Sequence, residues 1–322
     1  MIELPTFQIG ERLHSGIYFS VYRATRLDDG AAVIIKVADS PRAGPQANVR
    51  LEREFALTRT FDDSGIASAI ALERAGRHNV LIFPDTGRIS LAGYLEGRSL
   101  PIRSFFKIAR QLADTLGRIH AQDIVHKDVK PTNILIDPQT LSTQLTDFGI
   151  AAARVQERAS NVAPENLEGT LQYIAPEQTG RMNRSIDGRA DLYALGVTFY
   201  EMLTRRLPFE VEDPAELVHC HLTALPRSPR DFDPGIPEPV VGLVMKLLAK
   251  IPRSDTRVVG VLRTILPLWR ISSKAGAVFR TFRSRPATCR TGCACPNVFT
   301  VERVSSPSWS SLWRASGSAE RT

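Results

Sequence analysis

Four polar residues lie in two short segments whose composition suits phosphoryl-transfer chemistry. Asp128, Lys130 and Asn133 lie within the segment HKDVKPTNIL, residues 126–135, and Asp147 begins the tripeptide DFG that follows. Such chemistry depends on holding an acceptor hydroxyl close to phosphates that are bound to metal ions. Carboxylate, ammonium and amide groups at this spacing therefore favour a phosphoryl-transfer site over a loop of ordinary polar residues.

These two segments resemble the catalytic loop and the metal-binding tripeptide of protein kinases. The family's loop reads H-R-D-x-K-x-x-N, and this chain departs from it at Lys127, which replaces the arginine. The resemblance implies that Asp128 orients the acceptor hydroxyl and accepts its proton, while Lys130 neutralises charge on the transferred group. It also implies that Asn133 and Asp147 hold Mg²⁺ and that ATP is the phosphoryl donor.

A strand lysine and a helix glutamate match a second part of the kinase pattern. Lys36, in the segment VIIK, corresponds to the lysine that contacts the α and β phosphates of ATP. Glu54 is the expected partner on the following helix, because its context REF resembles the family's helix, whereas Glu52 should project from a different face. Taken alone, Lys36 could be the solvated end of a strand, but its order relative to the other motifs favours the nucleotide role.

The phosphate-covering loop matches the family poorly. The family's three glycines align with His14, Gly16 and Phe19, so that only Gly16 is retained. Glycine lets the backbone approach phosphates closely and adopt a positive φ, which His14 and Phe19 do not do freely. The resemblance implies that Gly16 contacts the nucleotide, in a loop that is less well suited to phosphates than the family's.

The adenine-binding residues follow from their positions in the same pattern. Val21 corresponds to the valine that covers the adenine, and the hinge between the lobes falls at Phe83 to Thr86. Proline has no backbone N–H. The adenine would therefore rely on the carbonyl near Pro84 and the amide near Thr86.

Two later segments indicate the acceptor and the subgroup. The segment GTLQYIAPE, residues 169–177, resembles the end of the activation segment, where Thr170 contacts the catalytic loop in members that phosphorylate Ser or Thr residues of proteins. Residues 176–209 resemble bacterial Hanks-type Ser/Thr kinase domains at the N-terminus of very large signalling proteins. Those proteins continue into an AAA-type ATPase, a GAF sensor and a histidine kinase. The resemblance implies signal transduction, with such downstream domains, or a partner histidine kinase or response regulator, as partners.

Short strands followed by long helices predict an α+β chain, and the resemblance implies a bilobal, protein-kinase-like fold. Strands separated by turns, together with an amphipathic helix over residues 48–61, predict a small β-rich N-lobe over residues 1–86. A larger α-helical C-lobe is expected over residues 87–262. It is indicated by the helical period from Phe105 to Ile119 and by the apolar segment Ala190 to Leu203.

The positive charge lies in the last part of the chain. The formal net charge is +7, yet residues 251–322 contain 12 Lys or Arg and 3 Asp or Glu, which leaves 29 basic and 31 acidic residues before them. A nucleic-acid-binding module is therefore not predicted. The family pattern stops after Lys250, and we expect an irregular basic tail over residues 263–322. Two explanations are open: a segment frameshifted from a GC-rich gene, or a disordered tail.

The sequence predicts neither secretion nor membrane insertion. The first residues include an acidic residue and a proline where a signal peptide has basic residues and an apolar run. The most apolar stretch, Leu192 to Leu203, contains Thr198 and Glu201 and is shorter than the roughly 18 residues that span a bilayer. We expect a cytoplasmic protein with no membrane partner.

Two other functions are compatible with the same residues. A pseudokinase would keep the fold as a nucleotide-binding or scaffolding module, which the sparse glycine loop favours. A small-molecule phosphotransferase would share the fold, but residues 169–177 are typical of enzymes that act on peptides. We therefore expect a protein serine/threonine kinase rather than either alternative.

Overall fold

The computed structural model describes most of the chain up to Lys250. The described residues are 4–16, 18–39, 43–153, 171–182 and 184–250. Thr170 and the predicted tail over residues 263–322 lie outside them.

The first part of the described chain is an antiparallel sheet of five strands. The strands are β1 Phe7–Ser15, β2 Ser20–Arg26, β3 Ala32–Val37, β4 Ala71–Ala75 and β5 His78–Pro84, in the sheet order β1-β2-β3-β5-β4. Successive strand residues point to opposite faces. Val33, Ile35 and Val37 therefore pack in one apolar cluster, while Lys36 lies in register with Val21 of β2 and Leu81 of β5.

One helix, α1 Pro45–Thr58, lies between β3 and β4 and packs on the sheet. A proline occupies its first turn, where the missing N–H costs no helical hydrogen bond. Ala47, Leu51, Glu54 and Thr58 are its buried residues, at intervals of three and four. The helix predicted over residues 48–61 is right in type, but it begins and ends three residues earlier.

The second part of the described chain is mainly helical. Its helices are α2 Leu91–Leu95, α3 Ile102–Ala121, α4 Gly188–Thr204, α5 Pro214–Thr223 and α6 Glu238–Leu247. Its short strands are β6 Ile89–Ser90, β7 Ile124–Val125, β8 Ile134–Ile136, β9 Thr143–Leu145 and β10 Ala152–Ala153. Among the residues described, none of the helices combines the length and apolarity that crossing a bilayer requires.

Helices α3 and α4 form the centre of this helical part. Both contribute many buried apolar side chains to one core, in which the rings of Phe105 and Phe199 lie 5.3 Å apart edge to face. Helix α4 is buried on nearly every face, as its apolar sequence predicts. The predicted α+β class, with a small β-rich lobe followed by a larger helical lobe, is confirmed.

A hairpin connects the two segments that carry the polar residues of interest. Strands β8 and β9 pair with Ile134 opposite Leu145. The residues that flank the hairpin are consequently neighbours: the backbone N–H of Thr146 donates to the carbonyl of Asn133 at 3.0 Å. Residues separated in sequence by the hairpin thus come together at its open end.

Candidate active site

Lys36, Glu54 and Asp147 form a hydrogen-bonded group that joins the sheet, helix α1 and the DFG segment. The Lys36 Nζ donates to Glu54 Oε2 at 2.7 Å and to Asp147 Oδ1 at 2.9 Å. The Glu54 side chain is fully buried, that of Lys36 is 10% exposed and that of Asp147 is 33% exposed. The group therefore runs from the interior towards the surface, with the Asp147 carboxylate outermost.

The three charges of this group shift one another's pKa values. Burial alone would lower the pKa of Lys36, but the carboxylates of Asp147 and Glu54 outweigh it and raise that pKa. Burial would raise the pKa of Asp147, yet the Lys36 ammonium lowers it to about 2. Burial raises the pKa of Glu54, and the ammonium offsets this only in part. At neutral pH, Lys36 is therefore a cation and Asp147 an anion.

Glu54, rather than Glu52, reaches Lys36. Glu54 lies on the buried face of α1, between Leu51 and Thr58, whereas Glu52 is exposed and accepts a hydrogen bond from Asn79 Nδ2 at 2.7 Å. This difference follows from the helical period, because residues two apart project from different faces.

Asp128 is held by two donors on the same oxygen. Its Oδ2 accepts from Lys130 Nζ at 2.7 Å and from Asn133 Nδ2 at 2.7 Å. Its Oδ1 is buried and has no hydrogen-bond partner within the described parts of the chain. A buried carboxylate oxygen usually has a donor, so this atom is a position where a hydroxyl group or a water molecule can donate.

Asp191 of α4 fixes the backbone of the catalytic loop from behind. Its two carboxylate oxygens accept the backbone N–H groups of His126 at 2.8 Å and Lys127 at 2.7 Å, and its Oδ2 lies 2.8 Å from His120 Nε2. Lys127 has a φ of 68°, a left-handed conformation that a non-glycine residue adopts at a cost. The bonds to Asp191 hold the chain in this conformation.

The catalytic loop also binds the DFG segment directly. The His126 Nε2 lies 3.1 Å from the carbonyl oxygen of Thr146, and its ring contacts that of Phe148 at a centroid distance of 4.6 Å. Phe148 is fully buried. These contacts give the two segments one fixed arrangement, which positions Asp147 beside Asn133.

The donor set fits a divalent cation bound together with a nucleotide. The amide nitrogen of Asn133 donates to the carbonyl and to Oδ2 of Asp128, which leaves the Asn133 amide oxygen as its ligand atom. Asp147 adds carboxylate oxygens, and hard cations such as Mg²⁺ prefer oxygen ligands. No cluster of three or more His, Cys, Asp or Glu suited to a metal ion is found among the described residues. Two protein ligands suit a cation whose other ligands are phosphate oxygens and water.

The residues predicted to contact adenine lie in the five-stranded sheet and just after its strand β5. Val21 is half-buried and pairs with Lys36 in the sheet. Pro84 and Thr86 are exposed at the end of β5. Between them, the Asp85 amide donates to the carbonyl of Ala32 at 3.1 Å and so is already occupied. The adenine contacts of the Pro84 carbonyl and the Thr86 amide therefore stay predictions from the sequence.

The loop between β1 and β2 contains a contact that the sequence analysis missed. The Phe19 ring lies over the Lys36 ammonium, with its centroid 4.9 Å from Nζ. Gly16 donates its backbone N–H to the carbonyl of Phe19 at 2.8 Å. The signal was present in the sequence, because Phe19 replaces a family glycine, but the replacement did not predict where the ring would lie.

Comparison with known proteins identifies a family whose pattern includes the residues of this site. A family model described as the protein kinase domain matches residues 7–258. The serine/threonine-protein kinase Pkn1 of Myxococcus xanthus is 29% identical over 272 residues, which cover 82% of this chain and 38% of that protein. The serine/threonine-protein kinase PrkC of Bacillus subtilis is 28% identical over 248 residues, which cover 76% of this chain and 38% of that protein.

A third relative is the serine/threonine-protein kinase PknB of Mycobacterium tuberculosis. It is 30% identical over 268 residues, which cover 81% of this chain and 42% of that protein. This chain therefore spans between 38% and 42% of the length of these three relatives.

Proposed function

Because the chain belongs to the protein kinase domain family, we propose that it is a serine/threonine kinase domain that phosphorylates proteins. In this proposal it transfers the γ-phosphoryl group of Mg-ATP to a Ser or Thr hydroxyl. The observation that carries the proposal is the unpaired Oδ1 of Asp128 beside the groups suited to phosphates and a cation. The similarity to serine/threonine-protein kinases of Myxococcus xanthus and Mycobacterium tuberculosis supports Ser and Thr as acceptors.

Asp128 is proposed as the catalytic base. Lys130 and Asn133 hold its Oδ2, so that Oδ1 is free to accept a hydrogen bond from the acceptor hydroxyl. The hydroxyl oxygen forms a bond to the γ phosphorus while the bond from that phosphorus to the bridging oxygen of ADP breaks. The hydroxyl proton passes to Asp128, and ADP leaves with the bridging electron pair.

The other site residues are proposed to position the nucleotide. Lys36, held by Glu54, contacts the α and β phosphates, and Lys130 neutralises charge on the transferred group. Asn133 and Asp147 hold Mg²⁺, which when bound neutralises phosphate charge. The proposed contacts of Gly16 are with the phosphates, and those of Val21, Pro84 and Thr86 are with the adenine.

Larger-scale assignments are proposals that depend on the sequence resemblance. We propose an N-lobe over residues 1–86, a C-lobe over residues 87–262 and an irregular tail over residues 263–322. The domain would act in bacterial signal transduction in the cytoplasm, where ATP is available, with downstream AAA, GAF and histidine kinase domains or a separate response regulator as partners. Reading the source DNA after the codon for Lys250 tests whether the tail is frameshifted. If it is not, neither of the other two frames should encode a continuing kinase pattern.

The direct test is transfer of labelled phosphate from [γ-³²P]ATP to a protein substrate, comparing the full chain with its Asp128→Asn variant. Loss of the base should lower the rate by about 100- to 10,000-fold without weakening nucleotide binding. Phosphoamino acid analysis of the product should yield phosphoserine or phosphothreonine. Equal incorporation by the two proteins would contradict the assignment.

The contact between Phe19 and Lys36 favours a second candidate, a pseudokinase that binds nucleotide or acts as a scaffold without transfer. This candidate predicts no incorporation by either protein in the same assay. A small-molecule phosphotransferase would instead transfer label to a low-molecular-weight alcohol. The acceptor that becomes labelled therefore separates the three functions.

A further inference from the structure

We propose that Phe19 is a gate on the phosphate-binding side of the nucleotide site, where its ring and the phosphates of ATP compete for the Lys36 ammonium. This inference rests on the proposed nucleotide-binding function. It concerns a residue that the family pattern does not provide, because the aligned position is a glycine.

The hydrogen bonds of Lys36 show why the ring and a phosphate compete. An ammonium group has three N–H donors. Two of them serve Glu54 at 2.7 Å and Asp147 at 2.9 Å, which leaves one donor for a phosphate oxygen. The Phe19 ring lies 4.9 Å from the same nitrogen, a separation typical of a cation–π contact.

The exposure of the group supports the same conclusion. The Lys36 side chain is only 10% exposed, although Asp147, to which it donates, is 33% exposed. The ammonium is thus largely covered, with the Phe19 ring beside it, while the Asp147 carboxylate is more accessible. A phosphate could reach Asp147's surroundings directly, but it must displace Phe19 to bind Lys36.

Neighbouring contacts hold the ring in this position. The ring of Tyr18 packs edge to face on that of Phe19 at a centroid distance of 6.4 Å and lies over the guanidinium of Arg50 at 5.0 Å. Arg50 belongs to α1, the helix that carries Glu54. The loop is therefore attached to the helix by one aromatic residue and to the lysine by the next.

The consequence is a penalty on phosphate binding that does not apply to adenine binding. Binding ATP requires loss of the ring contact with Lys36, whereas adenosine carries no phosphate and leaves that contact intact. The ratio of the Kd for Mg-ATP to the Kd for adenosine is therefore the quantity that reports the gate.

Isothermal titration calorimetry on the full chain can measure this ratio for the wild type, Phe19→Ala and Phe19→Tyr. Removing the ring in Phe19→Ala should tighten Mg-ATP binding by about 3- to 30-fold, from the usual strength of a cation–π contact. Adenosine binding should not change. Phe19→Tyr keeps the ring and should keep the wild-type ratio. Phe19→Leu keeps apolar bulk without an aromatic face, so its ratio of Kd values should lie between those of the wild type and Phe19→Ala. This variant replaces Phe19→Ala in the test if the alanine variant does not fold.

Each result decides the matter. An unchanged ratio in Phe19→Ala, which includes equal tightening of Mg-ATP and adenosine, would overturn the gate, and the proposed nucleotide binding would stand if ATP binds. Absence of Mg-ATP binding to wild type and to every variant would overturn both the gate and the proposed function. Binding that is detectable only after the ring is removed would support the gate in its strongest form.

Discussion

The buried carboxylate of Glu54 accepts the backbone N–H of Asp147 at 3.1 Å, while its other oxygen accepts from Lys36. A single side chain of α1 thus sets both the lysine of the sheet and the backbone of the DFG segment. Asp147 has a φ of 68°, and this bond helps to hold it there. The position of α1 is consequently part of the geometry of the proposed site.

We expect Glu54→Gln to damage both activity and stability. The amide keeps the size of the side chain but removes the charge that pairs with Lys36. If Lys36 binds phosphate as proposed, its misplacement should lower kcat/KM by about 100-fold. The free energy of unfolding should fall by about 1 to 3 kcal/mol, because a charge-assisted buried hydrogen bond is weakened. Kinase assays and urea unfolding measure the two effects.

Glu52→Gln is the matched control for that change. Glu52 lies two residues away on the exposed face of α1, where an amide can still accept from Asn79. We expect wild-type activity and a change in unfolding free energy within about 0.5 kcal/mol. A control that behaved like Glu54→Gln would show that the effect belongs to the helix and not to the ion pair.

We expect Asp191→Asn to separate phosphoryl transfer from nucleotide binding. The backbone N–H groups of His126 and Lys127 donate to different oxygens of Asp191. An amide replaces one of these oxygens with an NH2 group, so one N–H loses its acceptor. The free energy of unfolding should fall by about 2 to 3 kcal/mol and kcat should fall with it. The Kd for Mg-ATP should stay the same, because Asp191 lies behind the catalytic loop.

Asp187→Asn controls for charge loss at the same helix. Asp187 caps the start of α4 and pairs with the exposed Arg189, and asparagine caps helices about as well as aspartate. Its cost should stay below about 1 kcal/mol. If calorimetry showed that Asp191→Asn weakens ATP binding as strongly as it lowers kcat, the predicted separation of phosphoryl transfer from nucleotide binding would be disproved.

His221 gives a pH dependence that is independent of the proposed site. The Tyr193 hydroxyl lies 2.9 Å from its Nδ1, the Phe209 ring packs on it at 5.2 Å, and burial together with the charge of Lys250 lowers its pKa to about 3. The unfolded state binds a proton near pH 6.5, well before the folded state does. Folding stability from this residue is therefore complete above pH 6.5 and is lost as the pH falls from 6.5 towards 3.

Comparison of the wild type with His221→Gln checks the predicted loss of folding stability at low pH. Glutamine can still contact the Tyr193 hydroxyl but does not titrate, so the stability of the wild type relative to the variant should fall by at most about 3 kcal/mol between pH 7 and pH 4.5. Lys250, whose pKa is lowered by burial to about 8, is mainly charged throughout this interval. Parallel loss of stability in both proteins would rule out His221 as the cause.

Much of the site could be predicted from the sequence because it depends on local order and on helical period. The spacing from Asp128 to Asn133 places both residues in one loop, and the period of α1 distinguishes Glu54 from Glu52. Helix ends were less predictable. Phe61 follows α1 but packs against Phe148 in the helical lobe, so the apolar period in the sequence continues past the end of the helix.

The position of the Phe19 ring could not be predicted in the same way. It depends on the approach of three elements distant in sequence: the loop after β1, Lys36 of β3 and Arg50 of α1. A sequence pattern records that a glycine has been replaced, but the direction of the new side chain is set by tertiary packing. The same applies to the Tyr193 and His221 pair, whose members lie on α4 and α5.

The hydrogen bond between Thr146 and Asn133 closes the open end of the β8–β9 hairpin, where the site lies, and the tip of the hairpin is at the opposite end. At that tip Asp137 accepts the backbone N–H groups of Gln139 and Thr140, and these two donors are exposed. Extra residues inserted at the tip would lengthen the interval between the two motifs without moving either one. The tip is thus a natural position for grafting an epitope or a fluorophore, and motif searches that require a constant interval would overlook working relatives.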